Sequence, residues 1–99
     1  MPSIKLLKRA VLELREACEW YEEQQKGLSK LLRKEIKGTL GSIKLNPELY
    51  SKRYNTHLHF APLYKFPYII VYWYNDNLDA AFIISIFHTK QNPNEFENK

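Results

Sequence analysis

The side chains able to do acid–base or phosphate chemistry in this chain are few, and most fall in its second half. His57, His59 and His88 are its three histidines, and Lys65 and Lys90 are the cations of the strand-forming region. A histidine titrates near neutral pH, so His88, at the end of a long apolar run, has the chemistry of a proton donor or acceptor. The competing reading is a strand-end residue that hydrogen-bonds only locally. His57 and His59 stand at i and i+2, which puts both on one face of an extended strand. That supplies two metal ligands, and no cysteine or carboxylate accompanies them, so no metal site and no cofactor is expected. The sequence also lacks a glycine-rich phosphate loop, a Ser/His/Asp set and a close carboxylate pair in its strand region. Candidates for catalysis therefore reduce to His88, Lys65, Lys90 and His59, with His57 beside them.

These residues are positioned by the stretch from Phe66 to Pro93. It holds two apolar runs rich in β-branched and aromatic residues, joined by the turn Asn75-Asp76-Asn77, and reads as a pair of antiparallel strands. Neither run alternates cleanly, so the strands are expected to be covered on both faces, with the upstream chain supplying the cover. Upstream, residues 8–25 read as a helix. Ala10, Val11, Leu14, Ala17, Cys18 and Tyr21 share one face and Glu13, Glu16, Glu19, Glu22 and Glu23 the other. Trp20 lies away from the apolar centre, either capping the edge of the core or anchoring a partner. Gly27 breaks the chain, and a second helix runs over residues 28–45. Leu28, Leu32, Ile36, Thr39 and Ile43 line its inner face, and Gly38 and Gly41 are read as allowing close contact with the sheet or the first helix. Asn46-Pro47 ends it. Residues 3–7 read either as a short strand or as an extension of the first helix. Residues 58–63 read as a strand, with Pro62 suiting an edge or a bulge. The order β-α-α-β-β-β predicts an α+β fold, a helical hairpin packed on a small, mainly antiparallel sheet.

At 99 residues the chain has the length of one domain, 1–99, with residues 94–99 read as a flexible tail. Its single cysteine, Cys18, cannot form an internal disulfide and is read as a small core residue. A reducing cytoplasm is the expected setting. No apolar run reaches transmembrane length, so no membrane association is expected. Net charge is +4 but uneven: residues 26–46 alone come to +5, while residues 1–25 come to −1. The basic segment suits an acidic partner or a nucleic-acid surface, or is a solvated helix face. Some of its charge is expected to pair with the acidic first helix.

In order along the chain, Glu19-Trp20-Tyr21-Glu22-Glu23-Gln24 with Gly27-Leu28, then Asn46-Pro47 with Tyr50, then Ala61-Pro62-Leu63, Lys65 and Phe66-Pro67-Tyr68, and finally Phe87-His88-Thr89-Lys90 with Asn92-Pro93 resemble the ParE/RelE toxin superfamily, the plasmid-stabilisation proteins. The likeness runs from about residue 4 to 96. It implies a bacterial, cytoplasmic toxin of a type II toxin–antitoxin pair, neutralised by a cognate antitoxin and able to form a homodimer or a heterotetramer with it. RelE-like members of the superfamily cleave mRNA on the ribosome; ParE-like members inhibit DNA gyrase. The Trp-Tyr-x-x-Gln helix and the Phe-Pro-Tyr strand place the resemblance on the ParE side.

RNA cleavage by 2′-hydroxyl attack needs a base, an acid and cations around the phosphate. Where relatives commonly carry arginine or a second basic residue, this chain has His59 and Gln91, and Phe96 stands near its end. The basic sheet-face set is depleted, which favours a non-nucleolytic, gyrase-binding toxin. The alternatives are an mRNA interferase using His88, Lys65 and Lys90, and an inactive member that only binds. Candidate contacts to antitoxin or target are Trp20, Arg33, Lys37, Arg53, Tyr72 and Tyr74.

Overall fold

The ambiguous start of the chain is a strand. In the computed structural model, which describes residues 2–52 and 57–91, β1 spans Ser3–Leu6 and runs parallel to β4, Ala80–His88, in the register Ser3 to Ala80 through Leu6 to Ile83. Between them in sequence come α1, Lys8–Gln24; α2, Leu28–Leu45; β2, His59–Pro62; and β3, Tyr68–Asn75. The sheet order is β1-β4-β3-β2, antiparallel except for the β1–β4 pair. The fold is α+β, as expected, with a mixed sheet. Arg53 and residues 94–99 lie outside the described residues.

The two helices form where the apolar spacing and the breakers require. Ala10, Ala17 and Cys18 are the buried residues of α1, and Leu32, Ile36 and Ile43 those of α2. Burying each large aliphatic side chain contributes about 1.5–3 kcal/mol. Gly27 separates the helices at φ 93°, a left-handed conformation that a side chain would strain. Glu22 then closes the turn: its carboxylate accepts from the Gly27 and Ser29 N–H groups and from the Ser29 hydroxyl, the last at 2.8 Å. These bonds, led by that of the Ser29 hydroxyl, hold the Glu22 carboxyl below its ordinary range. After α2, Asn46 begins a turn by accepting the Glu48 N–H through its side-chain oxygen at 3.2 Å.

Both helices cover the same face of the sheet. Their buried residues pack with Ala61, Ile70, Tyr72, Ala81, Ile83 and Ile86, so the upstream chain roofs one side rather than two. On the other side Phe60, Val71 and Phe87 form a separate buried cluster with Leu58 and Ile69 against it. Two further expectations are corrected. A Cβ added at Gly38 or Gly41 would meet nothing within 4 Å, so these glycines face outward rather than easing contact within the fold. And among the described residues no ion pair joins α1 to α2; the one present, Arg9 with Glu13 at 3.5 Å, lies within α1. Pro62 ends β2 on the sheet edge, where its missing N–H removes no ladder bond.

Candidate functional site

A groove of about 500 Å³ lies between α1 and the end of β4, lined among others by Glu13, Trp20, Tyr21, Tyr68, His88 and Lys90. It exists because β1 is short. β1 covers the outer edge of β4 only as far as Ile83, whose carbonyl accepts the Leu7 N–H at 2.9 Å. Past that point β4 carries a β-bulge: Tyr72 pairs with Ile83 but Val71 pairs with Ser85, leaving Ile84 as the extra residue. The bulge shifts which residues aim their backbone groups outward, from Ala81 and Ile83 to Ile86 and His88.

Both of those outward amides are occupied by side chains. Glu13 Oε1 accepts from the Ile86 N–H at 3.1 Å and from the Ser85 hydroxyl at 2.7 Å. Gln91 Oε1 accepts from the His88 N–H at 3.0 Å, and the Gln91 N–H donates to the His88 carbonyl at 2.9 Å. The edge of β4 is thus capped from within the chain, and the groove is floored by satisfied polar groups rather than by an open ladder. Glu13 reads in the sequence as part of the solvent face of α1. The signal for its role is Ser85, the one polar residue in the apolar run from Ala80 to Phe87, which needs a partner when buried.

The histidine at the groove has a defined hydrogen-bonding state. His88 Nδ1 accepts the Lys90 N–H at 3.0 Å, so in the neutral ring the proton sits on Nε2. Its ring stands edge-on to that of Tyr68, 5.1 Å away, across the β3–β4 pair. Burial pushes the Tyr68 phenol up from its ordinary value, with Tyr21 and Cys18 adding to the rise, and burial does the same to Tyr21. Both phenols are therefore neutral donors at physiological pH. Trp20 is 54% exposed, its ring edge-on to Tyr21 at 4.8 Å, so it projects from the groove wall instead of closing the core.

The candidate catalytic residues are dispersed. His88 and Lys90 share the groove. Lys65 lines a different depression, with Leu31, Lys34, Gly38, Tyr64 and Phe66, where its N–H and that of Tyr64 donate to the Glu35 carboxylate of α2. His59 is 3% exposed; its ring stacks on Tyr72 at 4.8 Å, and its Nδ1 is hydrogen-bonded to the Tyr50 carbonyl. His57 is exposed at the approach to β2. Among the described residues no group of three or more His, Cys, Asp or Glu side chains is placed to hold a metal ion.

The candidate contact residues divide similarly. Arg33 and Lys37 are exposed on α2. Tyr72 is fully buried, its hydroxyl donating to the Pro47 carbonyl at 2.7 Å, which removes it from any contact surface. Tyr74 is half-buried and donates to Asp79 at 2.8 Å. Cys18 is buried, and burial pushes its thiol up, with Arg33 pulling the other way, as suits a packing residue. No described helix is long and apolar enough to cross a membrane.

Residues 4–93 match the family model described as the ParE toxin of the type II toxin–antitoxin system, parDE. No curated protein matches the chain. Among solved structures, the chain is similar to one in the intact E. coli RelBE toxin–antitoxin complex, with 19% identity and a TM-score of 0.71 over 92% of this chain and 100% of that one. It is similar to the isolated E. coli RelE toxin, with 20% identity and a TM-score of 0.69 over 94% and 89%. It is similar also to a chain of the chromosomal ParDE system from P. aeruginosa, with 14% identity and a TM-score of 0.68 over 91% and 98%. At these identities the likeness to solved structures is one of fold.

Proposed function

The chain belongs to the ParE toxin family of type II toxin–antitoxin systems, and on that premise we propose that it acts by binding a target, DNA gyrase, rather than by cutting RNA, and that a cognate antitoxin holds it inactive. The observation that carries this reading is the dispersal of the nuclease candidates: Lys65 and the His88–Lys90 pair line separate depressions, and His59 is buried. A phosphoryl-transfer centre needs acid, base and cations within hydrogen-bond reach of one phosphate. Supercoiling and cleavage-complex assays with the purified protein test the proposal. Inhibition of gyrase is expected at micromolar protein; its absence there overturns the reading.

The antitoxin is assigned to the α1–β4 groove, with Trp20 as anchor. A half-exposed tryptophan beside a groove that carries both apolar and polar groups has the character of an interface hot spot. One observation favours a second reading, RNA cleavage: His88 and Lys90 do share that groove, with His88 Nε2 free of the Lys90 bond and carrying the proton in the neutral ring. Under that reading His88→Ala relieves growth arrest in an induced host while the variant melts like the parent. Arrest that persists eliminates it.

A further inference from the structure

The outer face of α2 is a row of cations that make no ion pair among the described residues. Lys30, Arg33, Lys34, Lys37 and Lys44 are all exposed, and at 3.6 residues per turn they fall within about 100° of arc. Glu35 on α2 and Glu22 across the turn point their carboxylates at hydrogen-bond donors other than these cations. Glu35, the only acid on α2, accepts the Tyr64 and Lys65 backbone N–H groups. Glu22, across the turn, accepts from Gly27 and Ser29. The remaining acids of α1 that are exposed, Glu16, Glu19 and Glu23, make no ion pair with α2, and Glu16 lines the groove on the far side of α1. Glu35 still offsets one charge, but residues 26–46 keep a net +5, and the hydrogen bonds hold its carboxylate toward the Tyr64 and Lys65 amides rather than in an ion pair with the row.

We propose that this α2 ridge binds the sugar–phosphate backbone of duplex DNA without regard to sequence. This goes beyond the binding of gyrase or antitoxin and does not rest on either. From Lys30 to Lys44 the helix rises about 21 Å, the length of about six steps along one DNA strand. No apolar side chain falls inside the arc of the cations, although the exposed Leu31 and Leu45 flank it. A protein partner would need a desolvated apolar or aromatic centre, whereas a phosphate backbone needs only charge and access. Gly41 lies within the ridge, where an added Cβ would meet nothing, so a backbone can approach α2 closely there.

Fluorescence anisotropy of a labelled mixed-sequence duplex, titrated with the full chain from 50 to 200 mM salt, tests the proposal. Non-specific affinity on the order of 10⁻⁶–10⁻⁴ M is expected at physiological salt, with a log–log salt slope of about −3 to −4 for three to four neutralised phosphates. Lys34→Gln with Lys37→Gln should weaken binding at least about tenfold and reduce the slope by about 2. The charge-matched pair Lys5→Gln with Lys52→Gln should leave both unchanged. Circular-dichroism melts check that each pair folds, and Lys34→Gln alone, expected to lower the slope by about 1, serves if the pair does not. Equal loss from the two pairs overturns the proposal, since binding would then follow net charge alone. So does tighter binding of a glutamate-rich peptide than of the duplex through Lys34 and Lys37, which would assign the ridge to an acidic protein.

Discussion

Tyr72 brings a phenol into the core at full burial and satisfies it with the Pro47 carbonyl at 2.7 Å. Burial pushes this phenol up to about 12 from its ordinary 10.0. A folded-state value above the unfolded one means that the contribution to stability is complete below the unfolded value and is lost as pH rises through the folded one. Urea melts of the parent should therefore weaken between pH 10 and 12, and Tyr72→Phe should remove that part of the alkaline loss. At neutral pH the same variant should lose about 1–2 kcal/mol, because the Pro47 carbonyl is left without its donor. A neutral-pH melt indistinguishable from the parent's would show that the bond contributes nothing. Trp20 is the opposite case, half-exposed and braced edge-on by Tyr21. Trp20→Ala should leave the melting temperature nearly unchanged and weaken antitoxin binding by about 2 kcal/mol or more, as read by calorimetry. Neither role is written in residue type, since both are aromatic residues in aromatic-rich segments and only burial distinguishes them.

At the scale of elements, the two helices were legible because several cues agree: an apolar face at helical spacing, Gly27 where the chain must turn with positive φ, and Asn46-Pro47 where it must stop. β1 was not, because Ile4, Leu6 and Leu7 satisfy a short strand and a helix start equally, and only its pairing with Ala80–Ile83 decides between them. Nor was the one-sided roof, since an apolar run reports that a strand is covered but not by what. The candidate site was legible as far as His88, Lys90 and Trp20. Its wall depends on a one-residue bulge at Ile84, and a bulge changes register without changing composition. Glu13 joins α1 to that bulge. Glu13→Ala should cost about 1–3 kcal/mol by stranding the Ser85 hydroxyl and the Ile86 amide, and hydrogen exchange should show faster loss of protection at Ile86 than in β3. On α2, the outward glycines predict the reverse sign: Gly38→Ala and Gly41→Ala should each stabilise by about 1 kcal/mol in thermal melts.

For the whole molecule, charge and shape are separable. The helices bury their apolar faces on the sheet, while α2 keeps its cations outward and in no ion pair among the described residues. Neutralising the ridge should therefore alter what the protein binds without altering whether it folds. The sheet order adds a further consequence, because β4 lies between β1 and β3. A chain truncated after Leu78 retains β1, both helices, β2 and β3 but lacks the strand that joins them, and should show no cooperative unfolding transition; a sigmoidal melt would contradict this. On the ribosome, the same arrangement sets an order of events. Ser3 is made early and must wait for Ala80 before its strand has a neighbour. A partly synthesised copy that ends before β4 lacks the shared neighbour of β1 and β3 and one wall of the α1–β4 groove. The groove proposed for the antitoxin thus forms only after nearly all of the described chain has emerged, which would give an antitoxin translated alongside it time to be present.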